Sequence, residues 1–269
     1  MDWNDFDYDE TDLPREPDAY ETSARETLEE FFEGNDEAVF FGNQLAVQNE
    51  DRFFHWVTYR AIRDLVEGGL VKTEKRKLAN GGEIKLLWHR RHRYYKRDAK
   101  RIVALVEEYG HPNMCAAIGL HGEQMILGGF ARRQFLLRDH SARAYGEQEW
   151  TKTRHDLDFI FERDGVAYGV EVKNTLSYMD EKEFEVKVKL CEHLGIVPVF
   201  AVRFLPKSWF HELTQRGGYA MILKYQLYPW GHRELAKRVA DELKLPVDAP
   251  KALADGTMDR FLKWHRKRL

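Results

Sequence analysis

The stretch that decides the fold runs from Asp156 to Lys173 and reads DLDFIFERDGVAYGVEVK. Asp164–Gly165 near its centre is typical of two-residue hairpin turns, whose two central positions require positive φ angles. The runs on either side, 156–163 and 166–173, are rich in aromatic and β-branched residues. The stretch therefore predicts two antiparallel strands joined by a tight turn.

The turn also predicts which residues face each other across the hairpin. If the residues next to the turn pair, Asp158 lies opposite Glu171 and Asp156 lies opposite Lys173. Side chains alternate between the two faces of a strand, so all four share one face. Two facing carboxylates repel each other, and the arrangement makes sense if a divalent cation lies between them. The alternative is an ion-pair network without a metal.

Asp158 followed by Glu171-Val172-Lys173 resembles the motif of the PD-(D/E)xK nuclease superfamily, with a spacing similar to archaeal Holliday junction resolvases and restriction endonucleases. Leu157 departs from the family pattern, which has proline before the aspartate. The resemblance implies an α/β fold with a restriction endonuclease-like αβββαβ core and a mixed sheet. The segments predicted in that order are a helix over 113–128, a strand near 134–138, the hairpin, a helix over 184–194 and a strand over 196–202.

The resemblance also implies a site. Asp158, Glu171, Lys173 and Glu123 would be catalytic, because Glu123 stands in the first core helix where the family often has a further glutamate. Asp158, Glu171, Glu123 and the carbonyl of Val172 would bind Mg²⁺, for which Mn²⁺ would substitute. Lys173 would orient the metal-bound water or stabilise the transition state.

Residues 22–97 predict a separate domain. Ser23 is expected to cap the first helix, and a second helix is expected within 36–48. Apolar spacing from Phe54 onward predicts a third helix, before two strands over 70–78 and 83–89. This order, with TYRAIRDLVEGGLV at 58–71, resembles a winged helix-turn-helix, which implies a helix in the major groove. A winged helix used for protein contacts is the alternative. The residues expected to contact DNA are Thr58, Arg60, Arg63, Lys75, Arg76, Arg90, Arg91 and Arg93, together with Asn174 of the second domain.

Charge is distributed unevenly along the chain. The net charge is −3, but residues 1–50 hold sixteen Asp and Glu against two Lys and Arg, which leaves the remainder strongly basic. Seven Lys and Arg against one acid stand between His89 and Arg101. Such density favours DNA as a partner, since each phosphate contact releases counterions. We expect residues 1–21 to form an acidic flexible tail, which either keeps the chain in solution or competes with DNA.

Two cysteines, Cys115 and Cys191, give neither a disulfide framework nor a cysteine-rich zinc site. The sequence has no apolar run long enough to span a bilayer, which predicts a cytoplasmic protein without a membrane partner. The predicted parts of the chain are the tail 1–21, the winged-helix domain 22–97, a nuclease domain 98–230 and a basic helical extension 231–269.

Together these features predict a metal-dependent DNA endonuclease that hydrolyses phosphodiester bonds in repair, recombination or restriction. DNA is the expected partner, a homodimer is left open, and no small-molecule cofactor is expected. One alternative is a DNA-binding regulator whose nuclease fold is catalytically silent, and another is a structural adaptor in a repair assembly. Junctions, flaps, duplex sites and RNA all stay open as substrates.

Overall fold

A computed structural model of the protein describes residues 16–269. Residues 1–15, which hold most of the predicted acidic tail, lie outside the described residues. The fold is mixed α/β and contains a mixed sheet, as predicted. No helix among the described residues is long and apolar enough to cross a membrane. The described chain divides into two compact units, which are residues 16–115 with 237–245 and residues 116–236 with 246–269.

The first unit starts with a helix that begins earlier than predicted. Asp18, not Ser23, caps it: its carboxylate accepts hydrogen bonds from the N–H groups of Tyr20 and Glu21, and the Glu21 side chain accepts one from the Asp18 N–H. Residues 19–21 are therefore helical and not part of a tail. The elements of this part of the chain are α1 (Ala19–Gly34), β1 (Val39–Phe41), α2 (Gly42–Asn49), α3 (His55–Glu67), β2 (Val71–Lys77), β3 (Glu83–His89) and α4 (Tyr95–Tyr109).

The first unit extends beyond the boundary predicted at residue 97. β1, β3 and β2 form an antiparallel sheet in that order, and α4 packs against β1 and β3. The buried face of α4 consists of Ala99, Ile102, Leu105, Val106 and Tyr109. This apolar stripe keeps α4 with the first unit, although the sequence predicts that the second domain begins at 98.

The second unit follows the order predicted for its core. The elements of this part of the chain are α5 (Pro112–Arg132), β4 (Leu136–Ala142), β5 (Ala144–Tyr145), β6 (Gln148–Glu149), β7 (Leu157–Arg163), β8 (Val166–Lys173), α6 (Glu181–His193), β9 (Val197–Val202), α7 (Lys207–Gln215), β10 (Tyr219–Ile222), β11 (Gln226–Leu227), α8 (Arg233–Leu243), β12 (Val247–Asp248) and α9 (Asp255–Arg266). The first residues of α5 and residues 237–243 of α8 belong to the first unit.

Two features of the second unit differ from the prediction. The strand predicted near 134–138 runs on to Ala142 as β4, and the short β5–β6 hairpin follows it. The helix predicted over 113–128 continues to Arg132, so Gly128 and Gly129 lie inside α5. A Cβ atom at Gly129 would come within 2.9 Å of Leu253 Cδ2, so this glycine serves close packing, not helix termination.

The central hairpin forms as predicted. The five-stranded sheet has the order β10-β9-β8-β7-β4, with β8, β9 and β10 parallel and β7 antiparallel to both of its neighbours. Pairing of β7 with β8 runs from Arg163 opposite Val166 to Phe159 opposite Val170. Asp164–Gly165 has φ angles of 52° and 76°, which confirms the two-residue turn.

Both faces of this sheet are covered. Phe161 packs on one face with Phe130 of α5 and Phe261 of α9. The other face carries two clusters, one around Leu190 and one around Phe184, both from α6. Because the faces are closed, polar side chains of the central strands reach solvent only near the strand ends.

Replacing Gly165 with Ala is expected to lower the free energy of unfolding by about 1–2 kcal/mol, because a Cβ atom at positive φ crowds the neighbouring carbonyl. Urea denaturation of the full chain measures the change. Gly119→Ala is the matched control, since this helical glycine of the same unit has no atom within 4 Å of an added Cβ. Equal losses in both variants would contradict the role assigned to the turn.

Candidate active site

The residues of the predicted motif lie together at one end of the hairpin. β7 and β8 are antiparallel, so the beginning of β7 meets the end of β8. Asp158 is the second residue of β7, while Glu171 and Lys173 end β8. Because the register is the predicted one, Asp158 is level with Glu171. The hairpin therefore brings two carboxylates and a lysine to its open end.

Asp158 is held in place by the main chain of β8. Its Oδ2 accepts a 2.7 Å hydrogen bond from the Val172 N–H. A residue in an antiparallel ladder directs its N–H and its carbonyl toward the same neighbouring strand, so the Val172 carbonyl also faces β7. Burial raises the pKa of Asp158, and the hydrogen bond from Val172 offsets only part of this effect.

Glu171 is enclosed and carries two ammonium partners. Its side chain is 3% exposed, with Lys187 Nζ 2.6 Å from one carboxylate oxygen and Lys173 Nζ 3.4 Å from the other. Burial, followed by the negative charge of Asp158, nevertheless raises the pKa of Glu171 to about 7. At neutral pH this carboxyl group is thus close to its own titration point.

Sequence reasoning missed Lys187, which lies on α6 and whose side chain is only 6% exposed. Its ammonium group donates to Glu171 and to the main-chain carbonyl of Asp156, and it lies 3.8 Å from Asp156 Oδ1. Lys187 therefore connects α6 to both strands of the hairpin. A signal was available, because Lys187 interrupts the apolar stripe formed by Phe184, Val188, Leu190 and Cys191.

Lys173 is more accessible than Lys187. Its side chain is 31% exposed and its Nζ lies 2.7 Å from Oε1 of Glu183, a second α6 residue that sequence reasoning missed. Burial alone would lower the pKa of Lys173, but the hydrogen bond to Glu183 and the charge of Glu171 outweigh it and hold the pKa above its usual value. Lys173 is therefore a protonated group at neutral pH.

Glu123 of α5 belongs to the same electrostatic cluster. Burial and the charge of Asp158 raise its pKa, while Lys173 lowers it. Within residues 16–269 no three His, Cys, Asp or Glu side chains converge as they do in a multidentate metal cage. Asp158, Glu171 and the Val172 carbonyl are oxygen donors, hard ligands of the class that Mg²⁺ takes.

The expectation that Asn174 contacts DNA is wrong, because this side chain is buried and occupied. Its amide nitrogen donates to the carbonyls of Ile118 and Leu227, and its Oδ1 accepts from the Leu227 N–H. Gly122 makes room for it, since a Cβ atom at this position would lie 2.5 Å from Asn174 Cβ. Asn174 thus joins the end of β8 to α5 and β11, directly after Lys173.

On α3 the predicted DNA contact of Thr58 is also wrong, and Arg60 is engaged by other residues of the first unit. Thr58 is fully buried, so it does not project from the exposed face of the helix. Arg60 forms a 2.6 Å ion pair with Glu21 and lies over the ring of Trp56, which ties α3 to α1. α1 engages Arg60 through Glu21, whereas Thr58, two residues away, points to a different side of α3 and is one of the buried residues of that helix.

The remaining predicted DNA contacts reach the surface of the first unit. Arg76 is partly exposed and pairs with Glu74 at 2.6 Å. No ion pair with a described residue involves Arg90, Arg91 or Arg93. The exposed members of the set are Arg63, Lys75, Arg90, Arg91 and Arg93.

No protein-family model matches the chain, and no curated protein or solved structure was found to be similar to it.

The raised pKa of Glu171 predicts a specific pH dependence of stability. Between about pH 4.5 and pH 7 the folded protein keeps a proton on Glu171 that the unfolded chain releases. Relative to Glu171→Gln, the free energy of unfolding of the unaltered protein should therefore fall by up to about 3 kcal/mol as pH rises through this window. Urea denaturation of both proteins in metal-free buffer at several pH values measures this difference. A difference that stays constant with pH would refute it.

Replacing Lys187 with Met should destabilise the protein by about 3–5 kcal/mol above pH 7, because it leaves the buried Glu171 carboxylate without its closest partner. The loss should shrink near pH 4.5, where Glu171 is protonated. Lys189→Met is the control on the same helix, since Lys189 is 54% exposed and pairs with Glu185 at 2.9 Å. It should cost less than about 1 kcal/mol at any pH. Equal effects of the two substitutions would contradict the assigned role of Lys187.

Proposed function

We propose that the protein is a metal-dependent DNA endonuclease that hydrolyses phosphodiester bonds in its second unit. The observation that carries the proposal is the grouping of Asp158, Glu171 and Lys173 at the open end of the hairpin, where burial and the charge of Asp158 raise the pKa of Glu171. The succession α5, β4, β7, β8, α6 and β9 is the αβββαβ order of a restriction endonuclease-like core and supports the superfamily resemblance.

The donor set fits Mg²⁺ or Mn²⁺. Mg²⁺ is held by one or two carboxylates and keeps several waters, so Asp158, Glu171 and the Val172 carbonyl are sufficient ligands without a larger cluster. Glu123 is partly buried beside Asp158 and would contribute through a water molecule. A metal bound there lowers the pKa of a water and stabilises negative charge on the phosphate.

The two lysines would have different tasks. Lys173 is partly exposed and protonated, so it can donate a hydrogen bond to the attacking water or to a phosphate oxygen. Lys187 is enclosed and touches Glu171 and the carbonyl of Asp156, so it acts as a positioning residue for the carboxylate. A protonated Lys173 would also offset the charge that develops on the phosphate during hydrolysis.

DNA binding is proposed for the first unit, as a winged-helix domain. In this proposal β2 and β3 are the wing, and exposed cations of the wing and of the segment before α4 neutralise phosphates. Arg63 is the predicted contact on α3 that remains exposed. The burial of Thr58 and the pairing of Arg60 shift the expected contacts from α3 to the basic residues that follow β3.

A catalytically silent nuclease fold in a DNA-binding regulator is the second candidate function. It is favoured by the ammonium groups of Lys187 and Lys173, which both pair with Glu171 and compete with a cation for its oxygens. Calorimetric titration of the full chain with Mn²⁺ separates the two candidates, because only the enzyme requires binding to the Asp158–Glu171 site. Absence of both metal binding and cleavage would select the regulator.

Purified protein should cleave DNA when Mg²⁺ or Mn²⁺ is added and should not cleave in EDTA. Asp158→Asn and Lys173→Met should each reduce the cleavage rate by about 100-fold or more, because they remove a metal ligand and a charge that stabilises the transition state. DNA binding by both variants should be unchanged, since it is assigned to the first unit. Gel analysis of plasmid and oligonucleotide substrates measures cleavage, and a mobility shift measures binding.

Matched controls lie next to the site. Asp156→Asn alters a carboxylate that is 45% exposed and 3.8 Å from Lys187, and Lys189→Met alters an exposed lysine of α6. Both should retain cleavage. Full activity of Asp158→Asn, or equal activity with and without EDTA, would overturn the proposed function.

A further inference from the structure

The segment that follows β3 alternates between anchored and exposed side chains. Trp88 and Tyr95 stack with a centroid distance of 4.0 Å and an interplanar angle of 8°. His92 is buried and its Nε2 lies 3.4 Å from Asp98 Oδ2. The Arg90 N–H donates to the Leu70 carbonyl. These contacts hold the backbone of the segment in one conformation while its other side chains point outward.

Tyr94 is the outward-facing aromatic residue of this segment. Its side chain is 84% exposed, against 48% for Phe210, which is the next most exposed aromatic side chain in the part of the chain that the structure describes. Tyr95, its neighbour, is held by the stack on Trp88. The two tyrosines therefore differ: Tyr95 anchors the segment, and Tyr94 presents a ring to solvent on a backbone that is already fixed.

The ring of Tyr94 is surrounded in sequence by cations that are also exposed. Arg97 is 92% exposed and its only ion pair among the described residues is a long one of 3.9 Å to Asp98. Exposed Arg93 and Lys96 flank the tyrosine pair. An apolar partner would leave these charges without counterparts, whereas a polyanion with flat aromatic groups matches both the cations and the ring.

We propose that Tyr94 is a stacking platform for an unpaired nucleotide, so that the DNA bound by the first unit contains single-stranded segments such as flaps, gaps or overhangs. This inference rests on the DNA binding of the proposed function and narrows its substrate class. Base pairs inside a duplex are stacked on each other and offer no free face, whereas an unpaired base does. The neighbouring guanidinium groups bind the phosphates on either side.

The experiment compares three labelled probes by fluorescence anisotropy with the full chain in EDTA, which prevents cleavage: a single strand, a blunt duplex and a duplex with a single-stranded flap. Tyr94→Ala should weaken binding to the single strand and the flap by about 10-fold and leave duplex affinity unchanged. Tyr94→Phe keeps the ring and should restore the preference for unpaired probes. The slope of affinity against salt should not change in Tyr94→Ala, but it should fall by about one in Arg93→Ala.

Phe210→Ala is the control for loss of an exposed aromatic ring elsewhere, and it should leave all three affinities unchanged. Equal losses on the duplex and the flap in Tyr94→Ala, or no loss on any probe, would overturn the stacking role while leaving DNA binding itself intact. If the unaltered protein binds none of the probes at low salt, the DNA-binding proposal and this inference both fail.

Discussion

A carboxylate enclosed by protein needs a nearby positive charge, and Lys187 supplies it for Glu171. The 2.6 Å contact joins α6 to β8, and the bond from the same ammonium group to the Asp156 carbonyl adds the start of β7. Removing either member of such a pair leaves the other charge buried without a partner. The free energy of unfolding then falls by far more than an exposed ion pair contributes to it. The open end of the hairpin therefore depends on this contact, and the charges proposed to bind a metal also hold the second unit together.

The hairpin was predictable in detail because two local constraints leave a single solution. A two-residue turn at Asp164–Gly165 sets the pairing, and the alternation of side chains then decides which residues share a face. Lys187 and Asn174 were not predictable in this way, since their partners are distant in sequence and are chosen by how α6 and α5 pack on the sheet. For Lys187 the interrupted apolar stripe of α6 was a usable local signal, whereas nothing local distinguishes a buried Asn174 from an exposed one.

The errors in the first unit have a related cause. Helical spacing correctly placed a helix over His55–Glu67, but spacing alone does not show how many other elements cover it. Glu21, in the first turn of α1, pairs with Arg60, while Thr58 points to a different side of α3 and is buried. The composition of the segment after β3 likewise predicted a basic surface. It did not show that some of its side chains are held by contacts within the unit while others are exposed.

The contact between Gly122 and Asn174 has a consequence for mutational studies of the chain. Any side chain at 122 displaces the amide that ties the end of β8 to α5, so a harmful substitution there is expected to act through Lys173 although the glycine carries no chemistry. Genetic suppressors of such a substitution should arise at position 174 as glycine, because the closest approach, 2.5 Å, is to the Cβ atom that every other residue carries. The residues tolerated at one of these positions therefore depend on the residue at the other. Saturation mutagenesis of either position alone would underestimate the number of sequences that the fold accepts.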